Sequence, residues 1–373
     1  MKKFMNSTRI YYPELDSLRF IAFLLVLIHH SPFAEVIPAF GILIRYGWIG
    51  VDLFLCLSAF MFARLLFVEY QREGNINIAY FYIRRALRIW PLYYIFFGIT
   101  LIYSIYLYGW SSGILYRSLG MLTFTDNLFS MSLGYNHFIA YTAHLWTISY
   151  EEQFYLVIPW ALRVFYRLKK TTTIYILGTV MLMGVIIRAG FIYYKIGPPA
   201  IWVFPFTHFE SILGGLIIGL GLFDQYLKKI PVWILLIAGI IALWPVTILQ
   251  KTSLIQWKLM LTYPLIGIGM SLILFAIMQG GLGPISVLFR NKLFRYLGKI
   301  SYGLYVYHIA CGPLAFEITN TFVSQNSLLV YPAARLTIRL IVTVLVSTMS
   351  YEILEKPFLR LKERFTFIHS RPI

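Results

Sequence analysis

Polar and apolar positions along this chain do not alternate; they come in blocks. Ten apolar blocks are predicted as helices, at about 14–36, 47–69, 82–107, 148–166, 173–193, 201–222, 231–248, 257–279, 301–321 and 335–355. Each is close to the roughly twenty residues that a helix needs to cross a bilayer. The fourth opens among polar residues and the seventh contains Pro245, so these two are the least regular. The longest stretch between blocks, Ser104 to Thr147, carries Asp126, Asn127, Asn136, His137 and many tyrosines. Long structured connections of this kind often serve function. No internal repeat or low-complexity segment interrupts the pattern.

Composition turns the pattern into a fold class. Of 373 residues 59% are apolar and 13% charged, against about 25% charged in an ordinary soluble domain. The expectation is an all-α polytopic integral membrane protein of about ten transmembrane helices. Residues 1–373 are expected to form one membrane domain with no appended soluble domain. The net charge of +17 would suit a nucleic-acid binder, but its distribution points to topology. With a cytoplasmic N-terminus and alternating spans, 24 of the 32 lysines and arginines fall on the cytoplasmic side, as the positive-inside rule requires. Both termini are then cytoplasmic. Lys2, Lys3 and Arg9 precede the first block, but no small-residue cleavage site follows it, so it reads as a retained helix. Cys56 and Cys311 lie in apolar blocks and read as packing residues, with no disulfide framework or cysteine metal site.

The first block holds the first candidate chemistry. In ELDSLRFIAFLLVLIHHS, Glu14 to Ser31, Arg19 and His30 are eleven residues apart. At about 100° per residue they differ by roughly 20° after whole turns, and they lie about 16 Å apart along the axis. His29 points about 100° away. Charged and titratable groups inside a membrane helix are costly unless paired or used. Arg19 suits an anionic ligand and His30 a general base; the bland alternative is a snorkelling arginine and a packed histidine.

Four further constellations follow. Arg84, Arg85 and Arg88, within Tyr80–Tyr94, could grip phosphate or simply anchor the cytoplasmic end. Glu151, Glu152 and Gln153 open the fourth block with Tyr155 beyond them. Ser149 could cap that helix, which accounts for one carboxylate but not two. Asp52 begins the second block, beside the end of the first, and could orient His30. His308 sits in the ninth block among tyrosines, and His208 and Glu210 at the sixth; a lone histidine in such a place is more often structural. No His-x₃-His or His-Glu-x₂-His spacing, P-loop or GxSxG elbow occurs.

Taken together these blocks resemble the membrane acyltransferase-3 family of bacterial O-antigen and exopolysaccharide acetylases. LDSLRFIAFLLVLIHH resembles the family's opening Arg-x₁₀-His helix, with Arg19 and His30 in register. GVDLFLCLSAF resembles its GVDLFFVLSGF. RRALRIWPLY carries its Arg-x-x-Arg as Arg85 and Arg88. HLWTISYEEQFYLVIPW resembles its HTWSLSVEEQFYLLWP, and ISYGLYVYHIA its ISYSLYLWHWP with His308. LEKPFLRL carries its closing Glu-x-Pro as Glu355 and Pro357. The blocks run in the family's order from residue 14 to 362.

The resemblance implies an enzyme of the bacterial cytoplasmic (inner) membrane. It would move an acyl group, usually acetyl, from cytoplasmic acyl-CoA to a hydroxyl of a glycan or lipid-linked saccharide. Acetyl-CoA is then a donor substrate, with no tightly bound cofactor or metal and no nucleic-acid partner; oligomeric state stays open. The expected roles are His30, Asp52 and Glu152 in catalysis, with Asp52 or Glu152 holding the His30 tautomer. Arg19, Arg85 and Arg88 would hold acyl-CoA. Glu151, His144, Ser149, Tyr155 and His308 would bind substrate or support the site. His30 acts as general base, or as the nucleophile of an acyl-histidine route. The rival class is a multi-pass transporter or flippase of a glycan or lipid-linked intermediate, which would leave the thioester intact.

Overall fold

The computed structural model describes residues 10–37, 40–135, 138–249, 257–280, 283 and 285–368. Lys2, Lys3, Arg9, Asn136 and His137, named above for charge or polarity, lie outside them. Among the described residues the chain is helical throughout, without a strand. The principal helices are α1 (Pro13–His29), α2 (Ile49–Glu73), α3 (Ile78–Tyr108), α4 (Ser112–Leu122), α5 (Asp126–Leu133), α6 (Trp146–Phe165), α7 (Lys170–Tyr193) and α8 (Glu210–Gly219). They continue as α9 (Val232–Leu243), α10 (Leu259–Gln279), α11 (Lys292–Lys299), α12 (Ser301–Tyr307), α13 (Cys311–Phe322) and α14 (Val330–Ser350). A π-helical turn, Tyr351–Glu355, leads from α14 into α15 (Lys356–Glu363).

Every apolar block contains a helix, but the blocks are not ten uninterrupted spans. Among the described residues five helices are long and apolar enough to cross a membrane: α2, α3, α7, α10 and the continuous run from Val330 to Glu363. The first block's helix stops at His29 rather than running to 36. Pro32 follows, and Ser31 before it is pushed out of helical geometry (φ −126°, ψ 61°). The sixth block breaks at Pro205 and at the non-helical His208, leaving α8 with ten residues. The ninth breaks after Tyr307, so His308 caps α12. Ser149 sits inside α6, which begins at Trp146, so it is no N-cap. The stretch from Ser104 to Thr147 is mostly helical, its α4 and α5 joined by a buried Arg117–Asp126 ion pair at 2.6 Å.

Local signals set the helix ends. Asn77 caps α3 by accepting from the Tyr80 N–H (3.0 Å), and Gly74 ends α2 in the left-handed region (φ +71°). Apolar side chains of α1, α2 and α10 form one buried cluster, and those of α2, α3, α6 and α8 another. Small residues let backbones approach: a Cβ on Gly215 of α8 would stand 2.2 Å from the Cys56 carbonyl of α2. The tightest such contact seats α11 on α1. A Cβ on Gly298 would fall 1.7 Å from the Asp16 carbonyl oxygen, far inside van der Waals contact.

Gly298→Ala is therefore expected to push α11 off α1 and to destabilise by roughly 1–3 kcal/mol, as overpacking does. Gly178→Ala, exposed and with nothing near its Cβ position, should be neutral or slightly stabilising. Thermal melting of the two variants in the same detergent checks both.

Candidate active site

Two polar constellations meet inside the bundle. The first lines an open pocket enclosing about 1460 Å³ of empty space, part of it continuous with solvent. Arg19 enters from α1, Arg85 and Arg88 from α3, and Glu151 and Tyr155 from α6. The fold thus joins five residues singled out in three separate sequence blocks. Their spacing explains the convergence: Arg85 and Arg88 are three apart on α3, and Glu151 and Tyr155 four apart on α6, so each pair shares a face. Tyr155 donates to Glu151 at 2.6 Å, and Arg19 pairs with Asp16 at 3.3 Å. The Arg85 guanidinium lies 4.9 Å from the Phe62 ring centre, and its buried Nε–H has no protein acceptor. Arg84, the third member of the arginine run, turns away. It donates to Glu69 (3.1 Å) and to the Phe365 carbonyl (2.7 Å) and anchors the C-terminal segment.

The same pocket gains residues that the sequence reading did not place there. Lys299 comes from the end of α11, and Glu355 and Lys362 from the last helical run. Tyr351, Glu355, Leu359 and Lys362 line one wall, at the three- and four-residue spacings that keep side chains on one face of a helix. Five cations and three carboxylates line the pocket in all, a balance that favours an anionic guest.

The second constellation is a stack of imidazoles at the C-terminal end of α1. The His30 Nδ1 lies 3.0 Å from the His308 Nε2, and the His308 Nδ1 lies 2.6 Å from the Tyr305 carbonyl oxygen. A carbonyl only accepts, so the His308 Nδ1 carries the hydrogen. A neutral His308 then accepts at Nε2, so His30 donates from its Nδ1. The lone pair of His30 is thereby left on Nε2, the atom a general base uses. His144 packs edge-on against His308 with ring centres 4.7 Å apart, and its Nε2–H donates to the Val306 carbonyl (3.2 Å). His308 is fully buried and His30 half-buried. Among the described residues no group of three or more His, Cys, Asp or Glu is placed to hold a metal ion.

Arg339 holds this stack. It donates from Nη1 to the His30 carbonyl (2.6 Å) and to Ser31 Oγ (3.0 Å), and from Nε and Nη2 to the His308 carbonyl (3.0 and 2.8 Å). One guanidinium thus satisfies orphan carbonyls at two helix C-termini. Its sequence signal was an arginine inside an apolar block, counted above only for topology. Tyr305 joins the two constellations. It lines the pocket, its hydroxyl meets Thr147 Oγ1 at 2.6 Å and donates to the His144 carbonyl at 3.0 Å, and its ring centre is 5.6 Å from that of His308.

Three expectations need correction. Asp52 does not orient His30; its Oδ1 accepts from His208 Nε2 (2.9 Å) and Ser211 Oγ (2.7 Å) on the other side of α2. Glu152 faces away from the histidines too, accepting from Trp90 Nε1 at 3.3 Å, so neither carboxylate holds the His30 tautomer. Ser149 is fully buried within α6, away from the cap role assigned to it. Gln153 exchanges amide hydrogen bonds with Asn127 (2.7 and 3.2 Å) and ties α6 to α5.

A family model described as an acyltransferase domain matches residues 12–352. The chain belongs to this acyltransferase-3 family. It is 23% identical over 375 residues to the peptidoglycan O-acetyltransferase OatA of Listeria monocytogenes, covering 96% of this chain and 57% of that protein. It is 25% identical to the O-acetyltransferase OatA of Staphylococcus aureus NCTC 8325 and 26% identical to a putative O-acetyltransferase of S. aureus COL, covering 93% and 97% of this chain. The acyltransferase chain spans a little under three-fifths of the length of these relatives. No solved structure matches it.

Arg339→Lys keeps the charge but replaces a planar fork with a single ammonium that cannot serve both carbonyls. Leaving one buried carbonyl unpaired is expected to cost about 1–3 kcal/mol. A lowered melting temperature, with the cation retained, is the readout; an unchanged melting curve would show that the fork is dispensable.

Proposed function

We propose that this protein is a membrane O-acyltransferase that moves an acyl group, acetyl by default, from cytoplasmic acyl-CoA to a hydroxyl of a cell-surface glycan or its lipid-linked precursor. The observation that carries the reading is the hydrogen-bonded line Tyr305–His308–His30 beside the inner wall of a pocket whose far end is basic. Arg85 and Arg88 suit the diphosphate of the donor, which guanidinium groups grip in pairs. Arg19 lies in the same pocket and adds charge, while Glu151 fixes Tyr155 beside it. The pantetheine arm would run inward past Tyr305 and bring its thioester to the histidines.

In the proposed reaction the acceptor hydroxyl gives its proton to His30 Nε2 as its oxygen attacks the thioester carbonyl carbon. The carbon–sulfur bond breaks, and the imidazolium returns the proton to the departing thiolate. An ester and free coenzyme A result, with no net proton taken up. His308 acts as a positioning residue that keeps the His30 hydrogen on Nδ1. The membrane is taken as the bacterial cytoplasmic membrane, with the basic mouth of the pocket facing the cytoplasm. Support comes from the names of the relatives, one of which acts on peptidoglycan, and from the skewed charge of the loops.

Release of free thiol from acetyl-CoA by purified protein in detergent tests the reading. His30→Ala is expected to lower kcat by ~10²–10⁴-fold, the usual worth of a positioned base. The double change Arg85→Ala with Arg88→Ala should instead raise the KM for acetyl-CoA at least tenfold. Folded wild-type protein that cleaves no thioester with any acceptor would overturn the proposal in favour of a transporter.

A further inference from the structure

Arg19 and His30 share a face of α1, but the face between them is filled. Phe23 and Val26, four and seven residues beyond Arg19, turn to the same side, and they are 0% and 1% exposed. The residues of α1 that line the pocket end at Arg19. A donor that reaches the imidazoles has to follow another wall, and α2 supplies it. Val51, Phe54, Ser58, Met61 and Leu65 all line the pocket, and all are half-buried between buried neighbours such as Leu53, Leu57 and Phe60. Their spacings of three and four make them one strip of the helix. From 51 to 65 that strip rises about 21 Å.

The two ends of the strip differ. At one end Arg85 lies against the ring of Phe62, next to Met61. At the other, Phe54 meets Tyr305 edge to face, with ring centres 6.1 Å apart and planes at 74°. Behind Tyr305 stand His308 and His144, at 5.6 and 5.3 Å between ring centres. The two rings are not equally free. Tyr305 is tied down through its hydroxyl, to Thr147 Oγ1 and to the His144 carbonyl. Phe54 has no polar anchor. It packs against three apolar clusters at once: one holds Val26 and Tyr305, one Ala22 and Leu57, and one Phe23 and Leu27. Its ring therefore fills the junction between the inner end of the pocket and the packed face of α1 that leads to His30.

We propose that Phe54 determines the length of the acyl group that the protein accepts. The inference rests on the acyltransferase reading and names the part of the donor that this residue meets. The pantetheine arm is slim and is the same in every acyl-CoA; only the acyl group differs. With the donor's phosphates at Arg85 and Arg88, the arm follows the strip inward, and the acyl group leads it between Phe54 and Tyr305. Tyr305 is held, so Phe54 is the ring that yields. A two-carbon group asks for a small displacement. Each further methylene pushes the ring into a close-packed core, where even one methylene is felt. Without the ring the junction becomes an apolar cavity, and additional methylenes gain burial there, about fourfold in affinity each.

Equilibrium binding of coenzyme A thioethers tests this, because they carry the chain but no thioester to break. S-ethyl-, S-butyl- and S-hexyl-coenzyme A compete with radiolabelled coenzyme A for purified protein in detergent. Wild type is expected to prefer the ethyl to the hexyl compound at least tenfold, as a tight apolar site does. Phe54→Ala should lose or reverse that preference. Phe54→Leu, which keeps more of the core filled, should shift it the same way by less. Ile186→Ala, 60% exposed on α7, should keep the wild-type ratio. A Phe54 that only packs the core would change the melting curve, or the affinity for all three compounds alike, and leave the ratio alone. An unchanged ratio in a folded Phe54 variant, a wild type indifferent to chain length, or a folded wild type that binds no thioether would overturn the proposal. The two readings fail separately. Thioethers ranked as expected, with no thiol released from acetyl-CoA, would sink the transferase reading alone. Thiol released by wild type, with a ratio that Phe54→Leu and Phe54→Ala leave unmoved, would sink the role of Phe54 alone.

Discussion

One guanidinium holds two broken helices together. α1 ends before Pro32 and α12 ends at His308, and each end leaves backbone carbonyls without helical partners. Where water is excluded, such groups must be satisfied from within the protein. Arg339 supplies donors to both. That link reinforces the direct hydrogen bond between His30 and His308 and sets the two helix ends side by side. Irregular backbone is tolerated at membrane depth where it is buried in protein or lines a cavity, and here it carries the two histidines. The irregularity and the chemistry are thus the same feature.

The histidines illustrate how a neighbour decides what an imidazole can do. His308 and His30 form a line ending on a carbonyl, which leaves each with one hydrogen and His30 with a free lone pair. His208 lies between a carbonyl and a carboxylate, so both its nitrogens donate and none is left to accept a proton. The first arrangement suits a base; the second suits a rigid, charge-compensated prop. Residue type alone does not distinguish them, since His308 and His208 each stand eighth in an apolar block, 301–321 and 201–222.

This contrast marks what was legible in the sequence. Arg19, Arg85 and Arg88, with Glu151 and Tyr155, were singled out from helix periodicity and charge, and the fold brings them to one pocket. His308 was set down as a supporting residue and lies against His30. The failures came from contacts across long separations. Asp52 was assigned to His30 because the two lie near adjacent helix ends, but side chains leave a helix in different directions, and Asp52 faces His208, 156 residues along the chain. Arg339 and Tyr305 went unremarked because one carries an ordinary charge and the other is one of 28 tyrosines. Helix ends at Pro32 and Pro205 were missed because hydropathy runs straight through them, although proline geometry does not.

The π turn at Tyr351–Glu355 has a consequence of another kind. One additional residue in a helical turn rotates everything after it by about 100°. The bulge lies between Arg339 on α14, which holds the histidines, and Leu359 and Lys362 on α15, which line the pocket, so it sets the phase of one against the other. The facing of one helix relative to the other is therefore specified by counting, not by side-chain chemistry. Substitutions along α14 leave the phase intact as long as the helix persists, whereas gaining or losing a single amino acid at the bulge would turn the whole terminal helix.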